Sequence, residues 1–158
     1  MRTHGLCYTG HMAIKRLDHV SVVVEDLAAA IAFFTALGMT LEGEAPIEGE
    51  WADRINGIEG MRVDIAMMRT PDGHGRLELT KFRHPELVAV EPAVAPPNAP
   101  GLRSVMFAVD SVDDTLTRLR GAHSAELVGE VARYEDVYRL CYVRGPAGII
   151  VALAEELS

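Results

Sequence analysis

Two residues of this 158-residue chain combine a chemically useful side chain with a setting that demands a partner for it. His19 lies in Leu17-Asp18-His19-Val20-Ser21-Val22-Val23, and Glu78 lies in Arg76-Leu77-Glu78-Leu79-Thr80-Lys81-Phe82. Both stretches have the β-branched and apolar composition of strands, in which alternate residues share a face. On that period Leu17, His19, Ser21 and Val23 look one way, and Arg76, Glu78, Thr80 and Phe82 do the same on their own strand. A carboxylate left unpaired among apolar neighbours costs several kcal/mol or takes up a proton. Pairing His19 with Glu78 removes that cost, and an imidazole beside a carboxylate is a general acid–base couple. A buried hydrogen bond that only satisfies the core is the competing reading.

Other polar residues give weaker signals. His74 sits in the glycine-flanked turn Pro71-Asp72-Gly73-His74-Gly75 and His84 stands before Pro85, both settings of solvated loop histidines. His123 falls in the expected loop after the second helix. Tyr138, Tyr142 and Glu135 lie by the late strands, where a cleft-facing group or an ordinary acidic turn are both admissible. Trp51 and Arg54 fit either a lid over a ligand or a subunit contact. Arg103 has the opposite strand parity to Ser104 and points away from the face that Ser104 shares. Met67 and Met68 read as adaptable core filling. The sequence has no phosphate-cradling glycine loop, no CxxC and no nucleophile elbow, which leaves nucleotide-binding and serine-hydrolase chemistry without support.

The elements that must carry these residues occur twice. Leu17 to Leu27 aligns without a gap on Leu102 to Val112, a shift of 85 residues. Each copy is a strand-like run ending in an acidic or hydroxyl residue suited to a helix N-cap, Asp26 in the first and Asp110 or Ser111 in the second. Helical spacing follows in Leu27, Ile31, Phe34 and Leu37, and again in Val112, Leu116 and Leu119, with Gly38 as the first helix stop. Three further strands are expected in each half. In the first they are Thr40 to Pro46, Met61 to Arg69 and Arg76 to Phe82; in the second, Glu126 to Arg133, Tyr138 to Arg144 and Ile149 to Ala154. The order βαβββ therefore occurs twice. Residues 13–84 form the first module and 101–158 the second, joined by the Pro/Ala-rich linker 85–100. Trp51 to Glu59 reads as a short helix or loop over the first sheet. Residues 1–12 read as a leader or cloning remnant outside the ordered body.

Composition narrows the function classes. With 49% hydrophobic and 24% charged residues, the chain has ample apolar material for a core. The 15 basic and 23 acidic residues leave a formal charge of −8, with no lysine or arginine run, which disfavours nucleic acid and anionic membranes as partners. The two cysteines, Cys7 and Cys141, make no disulfide framework, no membrane span or secretion signal is legible, and a cytoplasmic location is expected.

Four separated segments, LDHVSVVVEDL, AIAFFTALGM, TPDGHGRLELTKF and LCYVRGPAGIIVALAEEL, together with the duplication, resemble the vicinal-oxygen-chelate superfamily of glyoxalases, bleomycin-resistance proteins and extradiol dioxygenases. The resemblance covers about Ile14 to Leu157. It implies an α+β fold in which two tandem βαβββ modules form a U-shaped eight-stranded sheet around a cleft. By position it places His19, Glu78, Ser104 and Ala152 at the family's metal-ligand sites. Imidazole and carboxylate suit Fe, Mn, Ni, Co or Zn; a serine hydroxyl is a feeble ligand and alanine is none. The implied cofactor is thus one divalent transition metal held only by His19 and Glu78, with Ser104, Trp51 and Tyr142 expected to contact substrate. The functional expectation is a lyase, isomerase or oxygenase acting on a small oxygen-rich metabolite, with His19 and Glu78 as its catalytic residues. The alternative is a metal-free drug- or metabolite-binding protein of bleomycin-resistance type. A homodimer is expected by analogy, since exposed sheet edges favour pairing.

Overall fold

A computed structural model describes residues 14–123 and 125–157, so the leader and Cys7 lie outside the described residues. The first module runs β1 (Val20–Val23), α1 (Leu27–Leu37), β2 (Thr40–Glu48), α2 (Glu50–Asn56), β3 (Arg62–Arg69) and β4 (Arg76–His84). The second runs β5 (Ser104–Ala108), α3 (Val112–His123), β6 (Ala132–Tyr134), β7 (Tyr138–Arg144) and β8 (Ile150–Glu156). Residues 85–103 between them contain no strand or helix. The eight strands hydrogen-bond as two four-stranded sheets of identical topology, β1-β4-β3-β2 and β5-β8-β7-β6. In each, the first strand runs parallel to the last, and the remaining pairs are antiparallel.

Helix placement follows the signals in the chain. The Asp26 carboxylate accepts from the backbone N–H of Ala29 at 2.9 Å, and Gly38 ends α1 at φ 125°, a conformation that a side chain would strain. In the second module the Ser111 hydroxyl accepts from the N–H of Asp114 at 3.1 Å, while Glu155 accepts from that of Val112 at 2.8 Å. Both helices pack against each other and against one face of their sheets, giving one continuous core. Phe34, Leu79, Leu119 and Leu153 are fully buried there, each stabilising by about 1.5–3 kcal/mol. Cys141 is a free thiol in the same core, its pKa pushed up by burial.

The other face of each sheet is free of its long helix. In the first module α2 covers one end of that face, packing Ala52 and Met61 on Val63, Ile65 and Phe82. The expected element at Trp51 to Glu59 is therefore a helix, starting and ending slightly earlier. One expected strand differs more. Of Glu126 to Arg133, only residues 132–133 join a strand, and Leu127 makes a single isolated bridge to Val143. The chain bends at Val128 and Gly129, where glycine offers no side chain to hold a ladder.

Candidate functional site

The sheet register fixes which residues share the open face. Ser21 on β1 lies opposite Glu78 on β4, and Val23 lies opposite Thr80. Strand alternation sends Val22, Leu77 and Leu79 into the core and leaves Ser21, Glu78 and Thr80 on the other side. His19, two residues before Ser21, joins them just ahead of β1.

The imidazole of His19 forms the middle of a chain of contacts. Its Nδ1 lies 2.8 Å from Oδ2 of Asp18, and its Nε2 lies 3.6 Å from Oε2 of Glu78. The second Glu78 oxygen accepts from the hydroxyls of Ser21 at 3.3 Å and Thr80 at 3.2 Å. Arg16 in turn donates to the other oxygen of Asp18 at 2.8 Å. The hydrogen bond with His19, then that with Arg16, holds the Asp18 carboxyl below its usual range. An ionised Asp18 accepts a hydrogen bond from Nδ1–H of His19 and so turns the ring's Nε2 toward Glu78. The pair is accessible to solutes, with side-chain exposures of 34% for His19 and 23% for Glu78.

Beside this chain lies a group rich in arginine. Arg76 precedes Glu78 by two residues on the same face, and its register partner on β3 is Arg69. Both guanidiniums reach a single carboxylate, Glu42, at 3.0 and 3.8 Å. The Nε of Arg76 is buried without a hydrogen-bond partner among the described residues.

The remaining predicted residues lie on other elements. Ser104 opens β5, exposed, and Tyr142 stands on β7 of the second sheet at 41% exposure. Trp51 projects from α2 at 54% exposure. No hydrogen bond among the described residues joins any of the three to His19 or Glu78. Ala152 lies opposite Met106, the residue 85 positions after Ser21, so it is the second module's counterpart of Glu78. It is completely buried. His84 sits away from the pair, near Gly60, and His123 packs edge-on to Phe33 at 5.8 Å. His74 does border the same small pocket as His19. Asp18 and Arg76 were not singled out by their types. The acidic residue directly before a strand-opening histidine was the available sign for the first.

A divalent metal would draw on this donor set. His19 offers Nε2, Glu78 a carboxylate, and Asp18 the outer carboxylate that typically orients a ligating imidazole. The other two family positions supply a neutral hydroxyl and a sealed methyl group, and no cluster of three or more His, Cys, Asp or Glu suited to a metal occurs among the described residues. Catalytic sites of this kind use three protein ligands, so the residues present do not fit a firmly held metal.

A family model for the Glyoxalase/Bleomycin resistance protein/Dioxygenase superfamily matches residues 16–153. The chain belongs to that superfamily. A crystal structure of a glyoxalase family protein from Bacillus cereus is 50% identical, superposes with a TM-score of 0.87, and is covered over 94% of this chain and 100% of its own. An uncharacterized protein, YwbC, of Bacillus subtilis (strain 168) is 25% identical over 136 residues, 85% of this chain and 92% of that protein. TnmS3, an antibiotic binding protein from Streptomyces sp. CB03234, shares the fold at 20% identity and a TM-score of 0.60, over 92% of this chain and 99% of its own. Membership of the superfamily thus rests on nearly the whole chain, and it spans both enzymes and binders.

Proposed function

We propose that the protein is a metal-independent lyase or isomerase of the glyoxalase superfamily that moves a proton on carbon next to a carbonyl of a small oxygen-rich metabolite. The observation carrying this is the Asp18–His19–Glu78 chain on an open sheet face, with His19 Nε2 3.6 Å from Glu78. Glu78 is the base. Ser21 and Thr80 hold one of its oxygens and leave the other toward the ring. His19, oriented by Asp18, donates toward the oxygen on which charge develops once it is protonated.

Proton exchange is the direct test. Small 2-oxo acids incubated with the protein in D2O should lose the hydrogens next to the carbonyl, followed by NMR. Glu78→Gln should slow this by about 10²–10⁴. Chelator treatment should leave the rate unchanged, and a rate restored only by added Zn, Mn, Ni, Co or Fe would overturn the metal-independent reading.

A second reading has its own support. The open face of the second sheet presents Met106, Tyr134, Tyr138 and Tyr142, each at least 38% exposed, a surface suited to capturing a flat apolar compound as a binding protein does. Tight capture without any exchange would favour it.

We also propose a homodimer. The edge strands β1 (VSVV) and β5 (SVMFA) carry no charge, the usual guard against pairing. Light scattering at micromolar concentration that returned the mass of one chain would exclude it.

A further inference from the structure

The charges around the His19–Glu78 pair balance before any ligand arrives. Arg16 is matched by Asp18, and Arg69 and Arg76 together meet Glu42, which leaves one positive charge over. Glu78 offsets that charge, because its own contacts are the hydroxyls of Ser21 and Thr80 and the ring of His19. Arg16, Arg69 and Arg76 thus stand against Asp18, Glu42 and Glu78. The nitrogen of Arg76 that lacks a partner among the described residues, Nε, is buried out of a ligand's reach.

The neighbouring surfaces add no cation. Where the modules meet beside His19, a small pocket is lined by Asp18, Arg76, the imidazoles of His19 and His74, and otherwise uncharged residues. On the second sheet the open-face positions of β5 and β8, from Ser104 and Ile150 to Ala108 and Ala154, carry no charged side chain. A ligand held for deprotonation by Glu78 brings its reacting carbon to about 3–3.5 Å from the carboxylate. A carboxylate borne on the adjoining carbonyl carbon then lies only two bonds further away. Like charges this close repel by several times the thermal energy, even at the effective dielectric of a protein surface.

We infer that the site selects uncharged carbonyl compounds, ketones and aldehydes that bring oxygen without charge, over carboxylates of the same size. This rests on the proton-transfer function proposed for His19 and Glu78. The base that removes the proton is also the group that turns anions away. A 2-oxo acid still reports proton exchange, at a disadvantage in binding that its neutral counterpart escapes.

The test compares 2-oxobutyrate with its amide, equal in size and different in charge, by NMR titration of the His19 imidazole resonances. The amide should bind at least about tenfold more tightly than the acid. Glu78→Gln keeps the shape and removes the charge, so it should tighten binding of the acid about tenfold and abolish the preference, with the amide within about twofold of its former affinity. Glu42→Gln, outside the pair, frees one guanidinium charge and should move the ratio several-fold toward the acid. An acid that binds the unaltered protein as tightly as the amide overturns the inference. A preference that neither variant moves reports hydrogen bonding rather than charge, and overturns it too. If neither compound shifts the His19 resonances and neither exchanges its hydrogens in D2O, the proton-transfer function itself fails, and the inference falls with it.

Discussion

The two open sheet faces have the same framework and opposite chemistry. On the first, Arg76, Glu78 and Thr80 line β4 opposite His19 and Ser21. The matching places on the second sheet hold Ile150, Ala152 and Ala154 on β8, with Ser104 and Met106 on β5. Small or apolar residues stand in place of polar ones at four of these five positions, and only Ser104 carries a hydroxyl. The consequence is visible in burial. Ile150 and Ala152 are 1% and 0% exposed, whereas Glu78 keeps 23% of its side chain in solvent. Strand order and register are the same in both halves because every core residue depends on them, while a face that need only be filled tolerates apolar residues.

The comparison breaks most visibly if a carboxylate is put back. Ala152→Glu places an acid where no solvent reaches and no partner waits, and should cost on the order of 3 kcal/mol or more of stability. Urea unfolding measures this, and a variant as stable as the parent would show that the second face is as open as the first. The converse change, Glu78→Gln, keeps shape and should alter stability by no more than about 0.5 kcal/mol while removing proton exchange. A smaller effect sharpens the role of Asp18. Asp18→Asn leaves the ring of His19 without an anionic partner at Nδ1 and should lower exchange about 10- to 100-fold with little change in unfolding. Equal losses in stability and exchange would mark Asp18 as structural.

Much of this was legible in the chain. The 85-residue repeat, the caps at Asp26 and Ser111 and the stop at Gly38 are local signals whose physics is complete within a few residues. The family resemblance brought His19 and Glu78 together with strand parity in support, and their distance of 3.6 Å agrees with that pairing. The split of the strand expected over Glu126 to Arg133 was less visible, because a bend at Gly129 depends on what β7 offers alongside. The Glu42 bridge to Arg69 and Arg76 was hidden too: it joins three strands, and its partners lie 27 and 34 residues apart in sequence. Ser104 was read from the family resemblance and Trp51 and Tyr142 from their residue types, and among the described residues none of the three hydrogen-bonds to His19 or Glu78.

The faintest difference between the modules should show in acid. Each half holds an aspartate below its ordinary carboxylate range: Asp18 through its hydrogen bond from His19 and then Arg16, and Asp113 through its hydrogen bonds from Arg139 at 2.9 and 3.1 Å. In the unfolded chain both return to a value near 3.8. A carboxyl with a depressed folded pKa binds fewer protons than its unfolded counterpart, so its stabilisation is fully present above that value. It is lost as pH falls from there through the folded pKa. Thermal unfolding followed from pH 5 downward should therefore show a loss that Arg139→Gln partly removes. Both carboxylates are exposed, so about 1 M salt should shrink the effect in each module. Arg139 keeps its charge across this range and holds Asp113 through two hydrogen bonds, whereas Asp18 is held by His19 together with Arg16. Arg139→Gln should thus remove the Asp113 contribution and leave that of Asp18 in place, and an acid transition unchanged by it would erase the distinction between the two halves.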